Sequence, residues 1–181
     1  SVTSLANGGF MVAWQSPNQD GSGRDIFGQR FSSSGNSEGS EIQINTFTSG
    51  NQVFPAVTSF ANGDFLVTWQ SENQDGNGFG IFGQRLNSDG NTIGGEFQVN
   101  THTNNTQAYP SVSALSDGGF VVTWSSYQPD GADFGIYGQR YSADGAALGN
   151  EFRVNTFTSG NQVFPAVTPS IDGGFVVTWY S

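Results

Sequence analysis

Short runs of alternating apolar and polar residues, separated by glycine-containing turns, cover the whole chain. In the run 65–71, Phe65, Val67 and Trp69 point to one face of an extended strand and the residues between them to the other. An Asn-Gly or Asp-Gly pair lies just before each such run, at 7–8, 62–63, 117–118 and 172–173. This pair favours a type I′ turn and predicts a β-hairpin at each place. No stretch has helical periodicity, so the pattern predicts an all-β protein.

The pattern recurs every 55 residues. The four tryptophans lie at positions 14, 69, 124 and 179, and a Gly-Gln-Arg motif lies at 28–30, 83–85 and 138–140. A fixed period of this size is typical of a repeat architecture. The copies cover about residues 1–50, 51–105 and 106–160, with a partial copy at 161–181. We interpret 1–181 as a single repeat domain.

Each copy predicts four strands. In the second copy these are 54–60, 65–71, 81–86 and 96–100. Four antiparallel strands in a repeat of this size are typical of a β-propeller blade. Small residues near the start of the first strand suit the crowded axis of a propeller: Ser1, Ala56, Ser111 and Ala166. We expect the Phe-Val-Trp face of strand two, together with the apolar face of strand four, to pack against the next blade.

The repeat count predicts a β-propeller segment of about three and a half blades. A β-trefoil-like fold, which also uses three four-stranded units, is the alternative. An open fan of blades leaves sheet edges and an apolar face in water. We therefore expect other segments of a longer parent chain, or self-association with a second copy, to close the propeller.

The charge balance excludes several partners. The chain has 5 basic residues, all of them arginine, against 15 acidic ones, for a net charge of −10. A phosphate-binding surface needs clustered Lys and Arg, so no nucleic acid partner is expected. No apolar run approaches the ~18 residues of a membrane helix, so no membrane insertion is expected. The absence of cysteine excludes a disulfide framework and a thiol nucleophile.

The loop between strands two and three carries oxygen-bearing side chains around an Asp-Gly pair. Ca²⁺ takes six to eight oxygen ligands, often from alternate residues of a glycine-containing loop. The loop predicts calcium ligands at Asn18, Asp20, Ser22, Asn73, Asp75, Asn77, Asp130 and Asp133. No glutamate closes the loop as in an EF-hand. The competing interpretation is a solvated turn in which the aspartate bonds its own backbone. Calcium is the only cofactor that the residues suggest.

An arginine and a glutamate also recur in every full copy. Arg30, Arg85 and Arg140 belong to the Gly-Gln-Arg motif, and Glu41, Glu96 and Glu151 lie in strand four. Opposite charges on paired strands stabilise by roughly 0.2–1 kcal/mol, so we predict an Arg–Glu pair within each copy. A ligand carboxylate held by the arginine is the competing interpretation.

The aromatic residues divide into core and surface candidates. The tryptophans share a strand face with Phe and Val, which predicts core positions. Aromatic residues in the loop between strands two and three are candidates for stacking on a sugar: Phe79, Tyr127 and Phe134. His102 is the only histidine and replaces a phenylalanine of the sibling copies, so the chain offers neither a zinc cluster nor a catalytic triad. We predict no catalytic residue and no enzyme activity.

The repeated unit Gly-Gly-Phe-Val-Val-Thr-Trp, followed by Ile-Phe-Gly-Gln-Arg and Glu-Phe-Gln-Val-Asn-Thr, resembles a repeat of large secreted bacterial proteins. Those proteins are similar to the RTX-type calcium-binding exoproteins and adhesins. The resemblance covers the whole chain and implies an extracellular or cell-surface setting without enzymatic activity. The glycine-rich nonapeptide of true RTX regions is absent, so the resemblance assigns no calcium ligand to these residues.

The first functional hypothesis is a non-enzymatic scaffold or adhesion module of a secreted or cell-surface protein. The second is a carbohydrate-binding, lectin-type propeller with one site per blade and glycans as partners. The third and weakest is the non-catalytic part of a secreted hydrolase.

Overall fold

The computed structural model describes residues 1–17, 23–127 and 133–181. These residues form antiparallel strands and no helix, which confirms the all-β prediction. The strands are β1 (Val2–Ser4), β2 (Phe10–Pro17), β3 (Arg24–Phe31), β4 (Ser37–Gln43), β5 (Gln52–Ser59), β6 (Phe65–Glu72), β7 (Phe79–Leu86), β8 (Thr92–Gln98), β9 (Gln107–Ala114), β10 (Phe120–Tyr127), β11 (Phe134–Tyr141), β12 (Ala147–Arg153), β13 (Val163–Pro169) and β14 (Phe175–Tyr180). Within the described ranges no helix is long and apolar enough to cross a membrane.

Each sheet contains the strands of one copy in chain order. Sheet I is β1–β4, sheet II is β5–β8, sheet III is β9–β12, and sheet IV is the hairpin β13–β14. A β-trefoil would instead share a barrel among its three units, so the structure does not follow that alternative. The first strands of successive sheets lie side by side: the Val57 N–H donates to Ser1 Oγ at 3.3 Å, and the Val167 N–H donates to Ser111 Oγ at 3.1 Å. The arrangement is propeller-like.

The turn between strands one and two differs from the predicted type I′ turn. The Gly63 N–H donates to Phe60 O at 3.0 Å, and only Gly63 of the Asn62-Gly63 pair has a positive φ, at 88°. The Asn62 side chain instead accepts the Asp64 N–H at 3.1 Å. This is a type I turn followed by a glycine bulge, in which the Asn or Asp position needs no left-handed backbone. The three sibling turns have the same geometry.

The apolar faces of the middle sheets are buried between neighbours. Trp69 and Trp124 are both 0% exposed, which confirms them as core residues. Trp69 packs with Phe65 in the cluster that joins sheet II to Met11 of sheet I. On the opposite face, Leu66 belongs to the cluster that joins sheet II to sheet III. Both faces of sheet II are therefore covered by another sheet.

The prediction that the Phe-Val-Trp face of strand two and the apolar face of strand four both pack against the next blade is wrong. The Phe-Val-Trp face of sheet II packs against the preceding sheet, whereas Phe97 of strand four packs toward the following one. Thr68 pairs with Gly83, and Gly83 pairs with Phe97, so Phe97 shares the face of Thr68 and not that of Trp69. The glycine of the Gly-Gln-Arg motif makes this possible, because a Cβ on Gly83 would lie 3.0 Å from the Phe97 ring.

The predicted Arg–Glu pair within each copy is also wrong. Strands three and four shift register at the glutamine of the motif, which places Arg30 opposite Glu38. Arg30 Nη2 lies 3.1 Å from Glu38 Oε2. In sheets II and III the same shift places the arginine opposite Ile93 and Leu148. The bulge separates each motif arginine from the glutamate that the sequence pattern paired with it.

The recurring glutamate instead holds the preceding sheet. Glu96 Oε2 accepts from the Thr46 N–H at 2.7 Å, from Thr46 Oγ1 at 3.0 Å and from the Phe47 N–H at 3.4 Å. Glu151 Oε2 makes the same three contacts with Thr101 and His102. Each of these carboxylates thus satisfies backbone donors in the connection that leaves the sheet before it. We call this contact the glutamate clamp.

A buried asparagine after strand four completes the connection. Asn100 Oδ1 accepts the Ile81 N–H at 2.7 Å, while its amide donates to His102 O at 2.9 Å and to Gln107 Oε1 at 3.1 Å. Asn155 makes the corresponding contacts in the next copy. One amide therefore joins strand three, the connecting segment and the first strand of the following sheet.

In two copies the buried asparagine donates to a carboxylate, but the carboxylate comes from a different element in each. In sheet I, Asp25 on strand three accepts from Asn45 Nδ2 at 2.7 Å and is fully buried. In sheet II that strand position is Gly80, and the loop residue Asp75 accepts from Asn100 Nδ2 at 3.4 Å. A Cβ on Gly80 would lie 2.5 Å from Asp75 Oδ2, so the two arrangements exclude each other in one sheet.

The glutamate clamp predicts a large stability effect for Glu96→Ala. The substitution removes an acceptor from three donors of the preceding connection, and hydrogen bonds to a charged group contribute about 1.5–3 kcal/mol. We expect the free energy of unfolding in urea to fall by about that amount. The control is Glu38→Ala, which removes a partly exposed ion pair near the surface and should cost about 1 kcal/mol. Equal losses for the two variants would show that the clamp contributes no more than a surface pair.

The exchange of carboxylates predicts a compensating pair of substitutions. Gly80→Asp alone places two carboxylates against each other and should lower the free energy of unfolding by roughly 1–3 kcal/mol. Adding Asp75→Ala recreates the arrangement of sheet I and should restore most of the loss. A double-mutant cycle from denaturant melts measures the coupling. Additive effects of the two substitutions would contradict the proposed exchange.

Candidate functional site

An aromatic–proline pair interrupts the first strand of three sheets. In sheet II, Val53 pairs with Gln70 and Ala56 pairs with Thr68, so the two residues between them stand opposite Trp69 alone. The extra residue makes a β-bulge, a position that tolerates proline because no ladder N–H is needed there. The equivalent pairs are Phe54-Pro55, Tyr109-Pro110 and Phe164-Pro165.

The aromatic residue of each pair has a left-handed backbone. The φ angles are 56° at Phe54, 57° at Tyr109 and 55° at Phe164, a conformation that costs a bulky residue about 1–3 kcal/mol. The preceding sheet helps to hold two of them in place. The Phe54 N–H donates to Gln15 Oε1 at 2.8 Å, and the Tyr109 N–H donates to Gln70 Oε1 at 3.0 Å. Strain of this kind persists where the surrounding structure enforces it, and it clusters at functional sites.

This backbone places three aromatic rings in a row across three sheets. The ring centroids of Phe54 and Tyr109 are 5.2 Å apart, and those of Tyr109 and Phe164 are 4.3 Å apart. Phe54 is 50% exposed and Phe164 is 57% exposed. The rings and their prolines line an open cleft of about 240 Å³. We call Phe54, Tyr109 and Phe164 the aromatic row.

The aromatic row offers flat apolar surface, with one phenol hydroxyl as its polar side-chain group. Such a surface can bind a flat or ring-shaped ligand by stacking. Sequence reasoning did not select these residues. The available signal was the aromatic–proline pair itself, which recurs every 55 residues at the start of a strand. Because recurring residues were interpreted as scaffold, the aromatic–proline pair was not predicted to be a binding site.

The aromatic residues selected from sequence lie where strand two ends and strand three begins. Phe79 and Phe134 are the first residues of β7 and β11, and Tyr127 is the last of β10. Tyr127 and Phe134 face each other with ring centroids 5.0 Å apart, whereas Phe79 pairs with Glu72 in sheet II. All three aromatic residues are half-buried. The structure therefore brings two of the three together and places the third on a neighbouring sheet.

The candidate calcium ligands are only partly described. Asn18, Asp20, Ser22 and Asp130 lie outside the described residues, and Asp133 is exposed beside β11. In the second copy, Asp75 is half-buried and accepts from the Asn77 N–H at 3.4 Å as well as from Asn100, while Asn73 and Asn77 are exposed. Across 1–17, 23–127 and 133–181, no group of three or more acidic or histidine side chains is placed to hold a metal ion.

The geometry of the second loop supports the turn interpretation for Asp75. One of its oxygens caps the loop backbone, and the other reaches inward to the buried asparagine. Calcium binding by the loops stays a prediction.

The motif arginines differ in their surroundings. Arg140 Nη2 lies 3.4 Å from Asp117 Oδ2, and Arg30 is paired with Glu38. Arg85 donates from Nη1 to Ala143 O at 2.8 Å, and its guanidinium carbon lies 5.2 Å from the centroid of the Phe60 ring. The three arginines therefore lie in three different environments. A ligand carboxylate held by the arginine would have different neighbours in each sheet.

Comparisons with known proteins define the fold and not the activity. No protein-family model and no curated protein matches the chain. A thermostable family-43 glycoside hydrolase superposes over 98% of this chain with a TM-score of 0.62 and 14% identity. An endo-arabinase from Bacteroides thetaiotaomicron superposes over 96% with a TM-score of 0.58 and 15% identity. A protein of unknown function from Dyadobacter fermentans superposes over 99% with a TM-score of 0.67 and 12% identity.

The chain spans only part of these proteins. It covers 63% of the family-43 hydrolase, 66% of the endo-arabinase and 60% of the Dyadobacter fermentans protein. At identities this low, the similarity shows a shared propeller-like fold alone.

Proposed function

We propose that this chain is a non-enzymatic carbohydrate-binding module built from consecutive propeller blades, with the aromatic row as its binding surface. Sheets I to III are three blades and sheet IV is the first hairpin of a fourth. The observation that carries the proposal is the row itself: neighbouring ring centroids lie 5.2 Å and 4.3 Å apart, on strained backbone that presents the rings to solvent. Aromatic faces stack on the apolar faces of sugar rings, and the cleft is lined by apolar rings and prolines.

The solved structures of similar fold favour a glycan over other flat ligands. They include a glycoside hydrolase, an endo-arabinase and an α-L-arabinofuranosidase, the last from Lactobacillus brevis with a TM-score of 0.56 and 12% identity. The net charge of −10 argues against the nucleobases of a nucleic acid as the stacked group. Neutral arabinose-containing oligosaccharides are therefore the first ligands to test.

The recurring carboxylates support a role without catalysis. Glu96 and Glu151 each accept three hydrogen bonds from the preceding connection, and Asp25 is buried against Asn45. The two glutamates stabilise the contact between blades, and Asp25 stabilises the connection after strand four of sheet I; none of these hydrogen bonds involves a residue of the aromatic row. We also propose an extracellular or cell-surface setting, in which glycan binding would serve adhesion.

Replacing the rings of the aromatic row should weaken glycan binding. Asparagine is the suitable substitute because it tolerates the left-handed backbone and removes the ring. We expect Phe54→Asn, Tyr109→Asn and Phe164→Asn each to weaken binding of an arabino-oligosaccharide by roughly two- to tenfold, since an aromatic contact contributes about 0.5–1.5 kcal/mol. A glycan array followed by calorimetry on the best ligand measures the effect.

Two controls locate the binding surface. Tyr109→Phe keeps the ring and should keep the affinity, and Phe157→Ala removes a ring that is 63% exposed outside the row. Loss of binding in Phe79→Ala with Tyr127→Ala, but not in the row variants, would move the site to the loop between strands two and three. Absence of binding to every glycan on the array would reject the carbohydrate proposal.

Calcium removal tests the loop predictions separately. If the loops are capped turns, the melting temperature should be the same in EDTA and in millimolar CaCl₂. If a loop binds calcium, a free Ca²⁺ concentration of 100 times the dissociation constant would instead stabilise the protein by about 2.7 kcal/mol and raise the melting temperature. If such a rise appears, Asp75→Asn distinguishes the second loop from the others, because only a site that uses this carboxylate would lose the effect.

A further inference from the structure

A cleft between sheets II and III places a cation against an aromatic wall. It lies at the end of the sheets that carries the turns, away from the aromatic row, and has a volume of about 240 Å³. Its lining comes from the turn between strands one and two of both sheets, from the Gly-Gln-Arg motif of sheet II and from the second turn of sheet III: Phe60, Ala61, Asn62, Arg85, Gly118 and Ala143.

Arg85 differs from its two siblings in having no carboxylate partner. Among the described residues, no acidic oxygen lies within 4.0 Å of its guanidinium nitrogens, whereas Arg30 pairs with Glu38 and Arg140 pairs with Asp117. Substitutions explain the difference. The position of Glu38 is occupied by Ile93 in sheet II, and the position of Asp117 is occupied by Asn62.

The guanidinium of Arg85 is held in place but not neutralised. Nη1 donates to Ala143 O at 2.8 Å, and the Phe60 ring lies 5.2 Å from Cζ. Nε is buried and has no hydrogen-bond partner among the described residues, as is also the case for Nε of Arg30 and Arg140. The acid next along the chain from Ala143 is Asp144, which is bonded to the Ser142 hydroxyl and to the Ala146 N–H. The Ser142 hydrogen bond is the main cause that keeps the pKa of Asp144 below its usual range, and Arg85 contributes least.

We propose that this cleft binds a carboxylate carried on a compact body, such as a single uronic acid ring, with Arg85 as the anion-binding residue. A half-buried, oriented guanidinium with no carboxylate within 4.0 Å among the described residues favours a carboxylate acceptor, because charge-assisted hydrogen bonds are roughly twice as strong as neutral ones. The volume is below the ~300–1,000 Å³ of sites for drug-sized ligands, so the cleft accommodates one ring and not a chain. Alanine and glycine leave the entrance unobstructed, and Phe60 offers an apolar wall.

The site is independent of the proposed glycan surface. The aromatic row lies near the start of the first strands, and the Arg85 cleft lies beyond their ends. Tyr109→Asn should therefore leave carboxylate binding unchanged. Failure of either proposal leaves the other testable.

The experiment is a titration followed through the arginine side chains. The chain has five arginines, so a ¹⁵N spectrum of the Nε–H groups contains few signals, and Arg85→Gln assigns the relevant one. Glucuronate is the probe, glucose is the neutral counterpart of the same ring, and acetate is the bare carboxylate. We expect the Arg85 signal to shift saturably with glucuronate and not with glucose, and Arg85→Gln to weaken binding at least about tenfold.

A matched pair of substitutions separates anion binding from a change in folding. Asn62→Asp supplies the internal carboxylate that Asp117 gives Arg140, and it should reduce glucuronate affinity at least about tenfold while the protein stays folded. Asn7→Asp makes the same change beside Arg30, which already has a partner, and should leave binding intact. Acetate binding as tight as glucuronate would show that the carboxylate alone is recognised. Equal binding of glucose, an unmoved Arg85 signal, or full affinity in Asn62→Asp would overturn the proposal.

Discussion

The structure depends on one packing constraint: a four-stranded sheet with two apolar faces must be covered on both sides. Sheet II meets this constraint by presenting Trp69 to the preceding sheet and Leu66 to the following one. Alternation along a single strand thus supplies two different interfaces. The hydrophobic effect brings the sheets together without fixing their relative position. Directional contacts, chiefly the glutamate clamp and the buried asparagine, then set how one sheet sits on the next.

The sequence was sufficient for the parts of the fold that are local and periodic. Strand alternation, the 55-residue interval and the Asn-Gly turns predicted four antiparallel strands per copy and the burial of Trp69, because each depends on residues near one another in the chain. The register between strands three and four was not predictable in the same way. A two-residue register shift beside the glutamine places Arg30 opposite Glu38, and the pairing of Gly83 with Phe97 decides which face Phe97 takes. Such a shift depends on how the side-chain amide bridges the bulge, which no spacing rule encodes.

The candidate sites were harder to find because they depend on contacts between copies. Neighbouring rings of the aromatic row are 55 residues apart in sequence, and their centroids are 5.2 Å and 4.3 Å apart in space. Recurrence was interpreted as a mark of scaffold, and that inference was correct for Trp69 and Trp124, whereas Trp14 is half-buried and Trp179 is exposed. At the aromatic–proline pair the same recurrence builds a continuous surface. At Arg85 the informative feature is a departure from recurrence, since two substitutions in sheet II remove the partners that its siblings retain. Both kinds of signal become interpretable only once the neighbouring sheet is known.

The glutamate clamp has a consequence for how such a chain grows. Its two halves lie in different copies: the acceptor belongs to one unit and the donors to the unit before it. Any unit duplicated in tandem therefore carries a donor set at its exit and an acceptor on its fourth strand, and the new junction is complete without further substitution. The identical segments Asn45–Thr58 and Asn155–Thr168, which contain the connection and the aromatic–proline pair, have the sequence relationship that such copying produces. The glutamate clamp therefore allows the chain to be extended by whole copies. Differences in function between copies can then arise in the turns and in the clefts between sheets.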